Sequence, residues 1–295
     1  MKPQTKAMLM GTFVVLAWST VATAFKLALK GMSFYMLLLI ASWTALVVSG
    51  LNLSIKREII VTLNLLKERR VFLKSALQGF LNPFLYYLIL FKAYSLLPAQ
   101  IAQPLNHSWQ IVLILLMIVV LKQRVRARQI VGVVISFTGI VVLSTNDSAA
   151  VEGSLSGLGI FLALASTLVW ASYWLSRINS KEEPSRVLFL NFLFSTIYLT
   201  SLAPFVPIEI PSWISLTAAL YTGVFEMGIT FILWGMALNL ATNKVALAQI
   251  TYLSPALSLI LIHFVLGENI SSLTLIGLAL IIGGLFLGNS NRNKD

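Results

Sequence analysis

"GFLNPFLYYLILFKA", residues 79–93, returns as "GVFEMGITFILWGMA", residues 223–237, at a constant offset of 144. Gly79 matches Gly223 and Ala93 matches Ala237. After a slip of one residue, "LKQRVRARQIVGVVISFTG" (121–139) pairs with "LGENISSLTLIGLALIIGG" (266–284), matching Leu121 to Leu266, Gly132 to Gly277 and Gly139 to Gly284. At the front of each half, "LAWST" (16–20) resembles "LVWAS" (168–172), centred on Trp18 and Trp170. Self-similarity at a fixed distance marks a duplicated unit and has to be recognised before the fold is read.

The medium is decided by composition. Of 295 residues, 58% are hydrophobic and 11% charged, and mean hydropathy is +0.89, too little polar surface for a water-soluble domain. A lipid span takes roughly 20 apolar residues. Such stretches predict ten spans, near 7–29, 33–53, 71–94, 99–121, 127–145, 155–178, 185–206, 213–239, 243–266 and 271–289. Lys2 and Lys6 ahead of the first run imitate a secretory signal, but that run is too long and reads as the first helix. No Cys occurs, so disulfides and thiolate metal sites are excluded. The expected class is an all-α integral membrane fold of ten transmembrane helices, arranged as two inverted five-helix repeats: 1–145, an outer linker at 146–157, and 158–295.

The inversion follows from the odd number of spans per half, and the charges agree with it. A net charge of +11 could signal a nucleic-acid partner, so the placement of the cations decides. With a cytoplasmic N-terminus, 17 of the 21 Lys and Arg fall in inner segments, including Lys2, Lys6, Lys56, Arg57, Lys67, Arg69, Arg70, Lys122, Arg177, Arg186 and Lys244. Lys30 alone lies in an outer loop, while Lys26, Lys74 and Lys92 stay within helices. That is the positive-inside pattern of a chain with both termini cytoplasmic. The basicity is topological, and no nucleic acid is expected. "SIKREIIVTLNLLKERR" (54–70) spaces Ile55, Ile59, Leu63 and Leu66 on one helical face and predicts a short helix on the inner surface.

Inverted repeats put a substrate site near the midplane, where the halves meet. Under the repeat, Asn82 and Glu226 are equivalent, each near the centre of its span. A midplane carboxylate costs roughly 2.5–3.5 kcal/mol on insertion scales, so Glu226 is expected to face protein or a cavity. Gln103, Asn106, His107 and Gln110 follow i, i+3, i+4, i+7 and share one helical face. Their repeat partner "AQITYLSPA" (248–256) sets Thr251 opposite Asn106 and Tyr252 opposite His107, and adds Gln249. Pro83, Pro104 and Pro255 lie inside spans and free backbone carbonyls that only protein or cavity water can satisfy. Trp18, Trp109, Trp170, Trp174 and Trp234 also fall within spans, as walls for flat ligands or cations or as packing. Lys26 and Lys92 approach outer helix ends and can snorkel. His263 sits near an outer end, and Gly284 and Gly288 have GxxxG spacing.

The ten spans, the two similar halves, "AWST" near the start, "WASYW" (170–174) and the ending "LSPALSLILIHFVLGENISSLTLIGLALIIGG" (253–284) resemble the EamA family of the drug/metabolite transporter superfamily. The first half departs from it, with Lys122 and Gln123 where the second half has Gly267 and Glu268, and the outer Glu268 is read as structural. The resemblance implies a cell inner membrane transporter that moves small metabolites, amino-acid-like or otherwise polar or amphipathic, outward through a central cavity, without cofactor. Proton-coupled uptake, with protons as partner, is the alternative. No Walker motif is present. A membrane-embedded enzyme would need converging acid and base groups and a channel would need rings of like groups; a single intramembrane acid fits neither. A monomer suffices for the inverted-repeat fold. Expected substrate-binding residues are Glu226, Asn82, His107, Asn106, Gln103, Tyr252, Thr251, Gln249, Trp18 and Trp170.

Overall fold

A computed structural model describes residues 1–122, 127–144, 155–177, 182–207, 209–242, 247 and 250–289. Among these, every regular element is helical. The chain runs through α1 (Pro3–Leu29), α2 (Phe34–Ile55), the short α3 (Ile59–Asn64), α4 (Arg69–Gly79) and α5 (Tyr86–Leu96). It continues through α6 (Ala99–His107), α7 (Trp109–Leu121), α8 (Ala127–Ser144), α9 (Gly157–Arg177) and α10 (Pro184–Leu202). The last described helices are α11 (Trp213–Tyr221), α12 (Thr230–Leu240), α13 (Leu253–Leu261) and α14 (Ser272–Asn289).

Helix starts follow local chemistry. Ser33 Oγ accepts from Met36 N at the start of α2, Glu183 Oε2 accepts from Arg186 N ahead of Pro184 in α10, and Ser212 Oγ accepts from Ser215 N in α11. Each satisfies an amide the first turn leaves free. Arg57, at φ 57°, ends α2 and separates it from α3. Ile55 therefore belongs to α2 and is 84% exposed, and the surface helix is shorter than the periodicity predicts. Ile59 and Leu66 pack on Leu53, Phe189 and Leu190.

Among the described residues six helices are long and apolar enough to cross a membrane, and the apolar runs Ile130–Leu143, Leu253–Leu266 and Ser272–Gly288 are shorter. The surface is the reverse of a soluble protein's: Phe137 is 60%, Phe161 66% and Phe264 79% exposed, while Ser42, Ser166, Asn191, Thr222 and Ser258 are fully buried. Small polar groups at helix contacts and apolar side chains outside are what lipid requires, and the chain is a membrane protein.

Helix packing has a regular plan. α1 lies on α12 and on α13, and α9 lies on α5 and on α6–α7; α2 packs on the segment Thr222–Ile229, and α10 on Phe80–Leu85. α2 meets α10, and α8 meets α14. Glycines allow the closest of these approaches. A Cβ on Gly79 would come 2.6 Å from Asn191 O, and one on Gly223 2.6 Å from Ala41 O. Between α8 and α14, a Cβ on Gly132 would meet Gly284 O, and one on Gly139 would lie 2.6 Å from Gly277 O. Ser136 Oγ donates to Ile281 O between the two crossings.

The matching spans that hold Asn82 and Glu226 are both irregular. Phe80–Leu85 contains Asn82 at φ −146°, ψ 121°, outside helical values, followed by Pro83. Thr222–Ile229 is a widened, π-helical turn around Glu226. Such turns recur at functional sites because they shift the register of side chains.

Candidate functional site

A cavity of about 70 Å³ lies inside the helices, with Glu226, Gln103, Asn106, His107 and Thr251 as its polar lining. Trp18, Tyr86, Trp109, Trp170 and Phe231 form much of its aromatic wall. The widened turn carries Glu226 inward, and α6 presents Gln103, Asn106 and His107 along the face their spacing predicts.

The polar groups are individually anchored. Tyr87 Oη donates to Glu226 Oε1 at 2.9 Å. Glu226 is 8% exposed, and among the described residues its Oε2 has no hydrogen-bond partner. Tyr86 Oη donates to Asn106 Oδ1 at 3.1 Å, and Asn106 Nδ2 donates to Ser166 Oγ at 3.0 Å. Ser258 Oγ donates to Gln103 Oε1 at 2.7 Å, and His107 lies at the Thr251 backbone. The rings form a continuous set: Tyr86 stacks on Trp170 with centroids 4.4 Å apart, and Trp170 touches Trp109 and Phe231. Trp18 packs on Trp234 at 5.5 Å.

Seven of the expected residues therefore line one cavity: Glu226, Gln103, Asn106, His107, Thr251, Trp18 and Trp170. Asn82 does not. It is 1% exposed and lies beside Tyr173, whose hydroxyl also accepts from Asn191 Nδ2. The extended backbone at Asn82 rotates its side chain out of the helical register that the repeat alignment assumes. Gln249 lies outside the described residues, as do the side chains of Tyr252 and Gln110 and the linker positions 146–154. Sequence reasoning passed over Tyr86 and Tyr87; two adjacent hydroxyls within an apolar span are the same kind of signal as Gln103 and Asn106.

Lys26 is not a snorkelling anchor. Its Nζ donates to Tyr94 O and Leu97 O, both at 3.0 Å, at the carbonyl end of α5. Glu268 grips the next helix, accepting from Ala99 N at 2.8 Å and Gln100 N at 3.0 Å. A cation on carbonyls and a carboxylate on amides each complement a helix end, so the α5–α6 turn is clamped from both sides. At the opposite end of the bundle Lys74 and Arg177 share Glu182, Lys56 faces Glu183 and Arg186 faces Glu58.

The sequence model of the EamA-like transporter family matches residues 5–145 and 157–290. The chain belongs to the EamA-like transporter family. This EamA-like protein is 28% identical over 183 residues to an uncharacterized transporter of Clostridium kluyveri, a match covering 59% of this chain and 58% of that one. It thus spans under two thirds of that relative's length. It is 23% identical over 296 residues to the uncharacterized transporter YvbV of Bacillus subtilis, covering 98% of this chain and 93% of that one. A crystal structure at 21% identity superposes with a TM-score of 0.65 over 96% of both chains, which makes the fold common to the two.

Proposed function

We propose that this chain is a cytoplasmic-membrane carrier that moves small organic solutes outward by alternating access between two inverted five-helix halves. The observation that carries this reading is a buried carboxylate in a cavity built by both halves of the sequence: Trp18, Gln103, Asn106 and His107 from the first, Trp170, Glu226, Phe231 and Thr251 from the second. Inverted-repeat carriers bind at such a junction. Counting α4–α5, α6–α7 and α11–α12 as single spans, and including the shorter helices, makes ten.

Three observations support the inversion. Exchanging the halves turns the α1–α12 contact into α9–α5, and the contact of α2 with Thr222–Ile229 into that of α10 with Phe80–Leu85. The close approaches of Gly79 and Gly223 exchange in the same way, as do the Gly132–Gly284 and Gly139–Gly277 crossings. The family match itself falls into two blocks.

The orientation follows from charge. Lys56, Lys74, Arg177 and Arg186 meet acids at one end of the bundle, and the positive-inside rule makes that end cytoplasmic. Both termini are then inside and the 146–157 linker outside. Ala150→Cys in this Cys-free chain should react with a membrane-impermeant maleimide added outside intact cells. Labelling from the cytoplasmic side alone would reverse the topology.

At about 70 Å³ the cavity holds on the order of two waters, whereas a metabolite pocket takes roughly 300 Å³ or more. The helices must part to admit cargo, and the break at Asn82–Pro83, with Pro104 in α6 and Pro255 in α13, offers hinges where helical hydrogen bonds are already missing.

Glu226→Gln keeps size and removes charge. In proteoliposomes, counterflow of any solute that the wild type carries, from a panel of amino acids, amines and organic acids, should fall at least about tenfold, the worth of one charge-assisted hydrogen bond, with melting unchanged. If downhill exchange survives and only pH-driven accumulation is lost, Glu226 carries the proton. Wild-type binding and flux at normal stability would make it a packing residue and remove this reading.

A further inference from the structure

The geometry points to an organic monocation, an ammonium group borne on a compact apolar or aromatic body, as the cargo class of the Glu226 cavity, in preference to zwitterionic amino acids and organic anions. This rests on the proposal that the cavity is the transport site.

Charge comes first. Among the described lining residues Glu226 is the one carboxylic acid and His107 the one basic side chain, and no Lys or Arg joins them. The described ion pairs all lie at the cytoplasmic end, and Lys26 is held by Tyr94 O and Leu97 O. An anion entering the cavity would meet the ionised Glu226 carboxylate and, among the described residues, no Lys or Arg in a low-dielectric interior, where such an encounter is most costly. An ammonium group would meet the opposite.

Hydrogen bonding agrees with charge. Tyr87 satisfies Glu226 Oε1, while Oε2 is buried without a partner among the described residues. A buried acceptor left unmade is expensive, and an alkylammonium N–H is a charged donor that removes the cost. The carboxylate of an amino acid would need charged donors of its own. Asn106 is engaged at both ends of its amide. Trp18 Nε1, buried and without an acceptor among the described residues, is a neutral donor suited to a hydroxyl or ether oxygen rather than to a full negative charge.

The walls supply the third argument. Trp18, Trp109, Trp170, Tyr86 and Phe231 surround the same space as the carboxylate. Aromatic faces carry negative potential and attract a desolvated cation, whereas they repel an anion. Either element alone is common inside a membrane protein; a single carboxylate among five rings, with no Lys or Arg among the described lining residues, selects the sign of the ligand.

The test holds the ring constant and changes the charge. Tryptamine, tryptophan and indole-3-propionate share indole and differ in net charge; benzyltrimethylammonium is a cation without N–H donors. Calorimetric titration of the purified full-length protein should show tryptamine binding at least about tenfold tighter than tryptophan, with no heat from indole-3-propionate. Glu226→Gln should weaken tryptamine at least about tenfold, and Trp18→Leu should weaken benzyltrimethylammonium by about tenfold, the scale of a desolvated cation–π contact. Glu226→Asp, which keeps the charge, should retain the preference for amine, so the proposal stays testable should Glu226→Gln fold poorly. Tryptophan or indole-3-propionate binding as tightly as tryptamine, and weakened by Glu226→Gln, would overturn the cargo class and leave the site standing. Tryptamine binding that ignores both Glu226 substitutions would overturn the site itself. Absence of binding by both tryptamine and benzyltrimethylammonium at every soluble concentration would also overturn the cargo class.

Discussion

Gly284→Leu should reduce the yield of folded, monodisperse protein to background, while Gly283→Leu, one residue away, should leave yield unchanged and melting equal or slightly higher. The two glycines lie about 100° apart on α14 and face different surroundings. Gly284 is buried against α8, where an added Cβ would meet Ser136 Oγ and Gly132 O; Gly283 is exposed, with nothing within 4 Å. Overpacking an interior typically costs 1–3 kcal/mol and at times more. Here the obstacle is partly backbone on another helix, which cannot rotate aside as a side chain can, so the cost exceeds about 3 kcal/mol. In lipid the association of helices depends on close packing, and separating α8 from α14 also removes the Ser136–Ile281 hydrogen bond. Leu at Gly283 instead gains close to 1 kcal/mol of helix propensity and presents an apolar side chain to lipid. Size-exclusion profiles of detergent extracts, with melting curves, make the measurement. A Gly284→Leu protein that is monodisperse and melts normally would mean that the helices do not meet there.

Trp170→Ala should lower stability by about 3–5 kcal/mol, as truncations of large buried aromatics do, and should abolish transport with it. Trp170 is 6% exposed and is the centre of the ring set, in contact with Tyr86, Trp109, Tyr173, Trp174 and Phe231. Its removal frees Tyr86, which otherwise holds Asn106 and packs edge-on against Tyr87, the donor to Glu226. Trp170→Phe keeps a ring in place and should recover most of the stability. Melting of purified variants checks the first effect and proteoliposome flux the second. An Ala variant that melts like wild type would show that the rings do not act as one packed unit.

Much of this was legible in the sequence because the information is local. Lipid exposure depends on apolar content summed along a helix, so the chain's medium was readable from composition. The rarity of an intramembrane acid singled out Glu226, and a spacing of three and four residues placed Gln103, Asn106 and His107 on one face before any neighbour was known. The paired glycines were visible as repeats because a close crossing tolerates only the smallest residue, and that demand recurs wherever the crossing does.

Partners were decided by tertiary structure, since they depend on how helices far apart in sequence cross. Nothing near Glu226 in the chain names Tyr87, 139 residues away, and nothing near Gln103 names Ser258. Asn82 satisfies the repeat alignment yet leaves the cavity, because its backbone departs from the helix and the alignment counts residues rather than dihedral angles. Lys26 reads as an anchor by its position at a helix end, but the carbonyls of α5 fall within its reach only once α1 and α5 are packed side by side. Periodicity determines which way a side chain points on its own helix; what it meets is determined by the other helices.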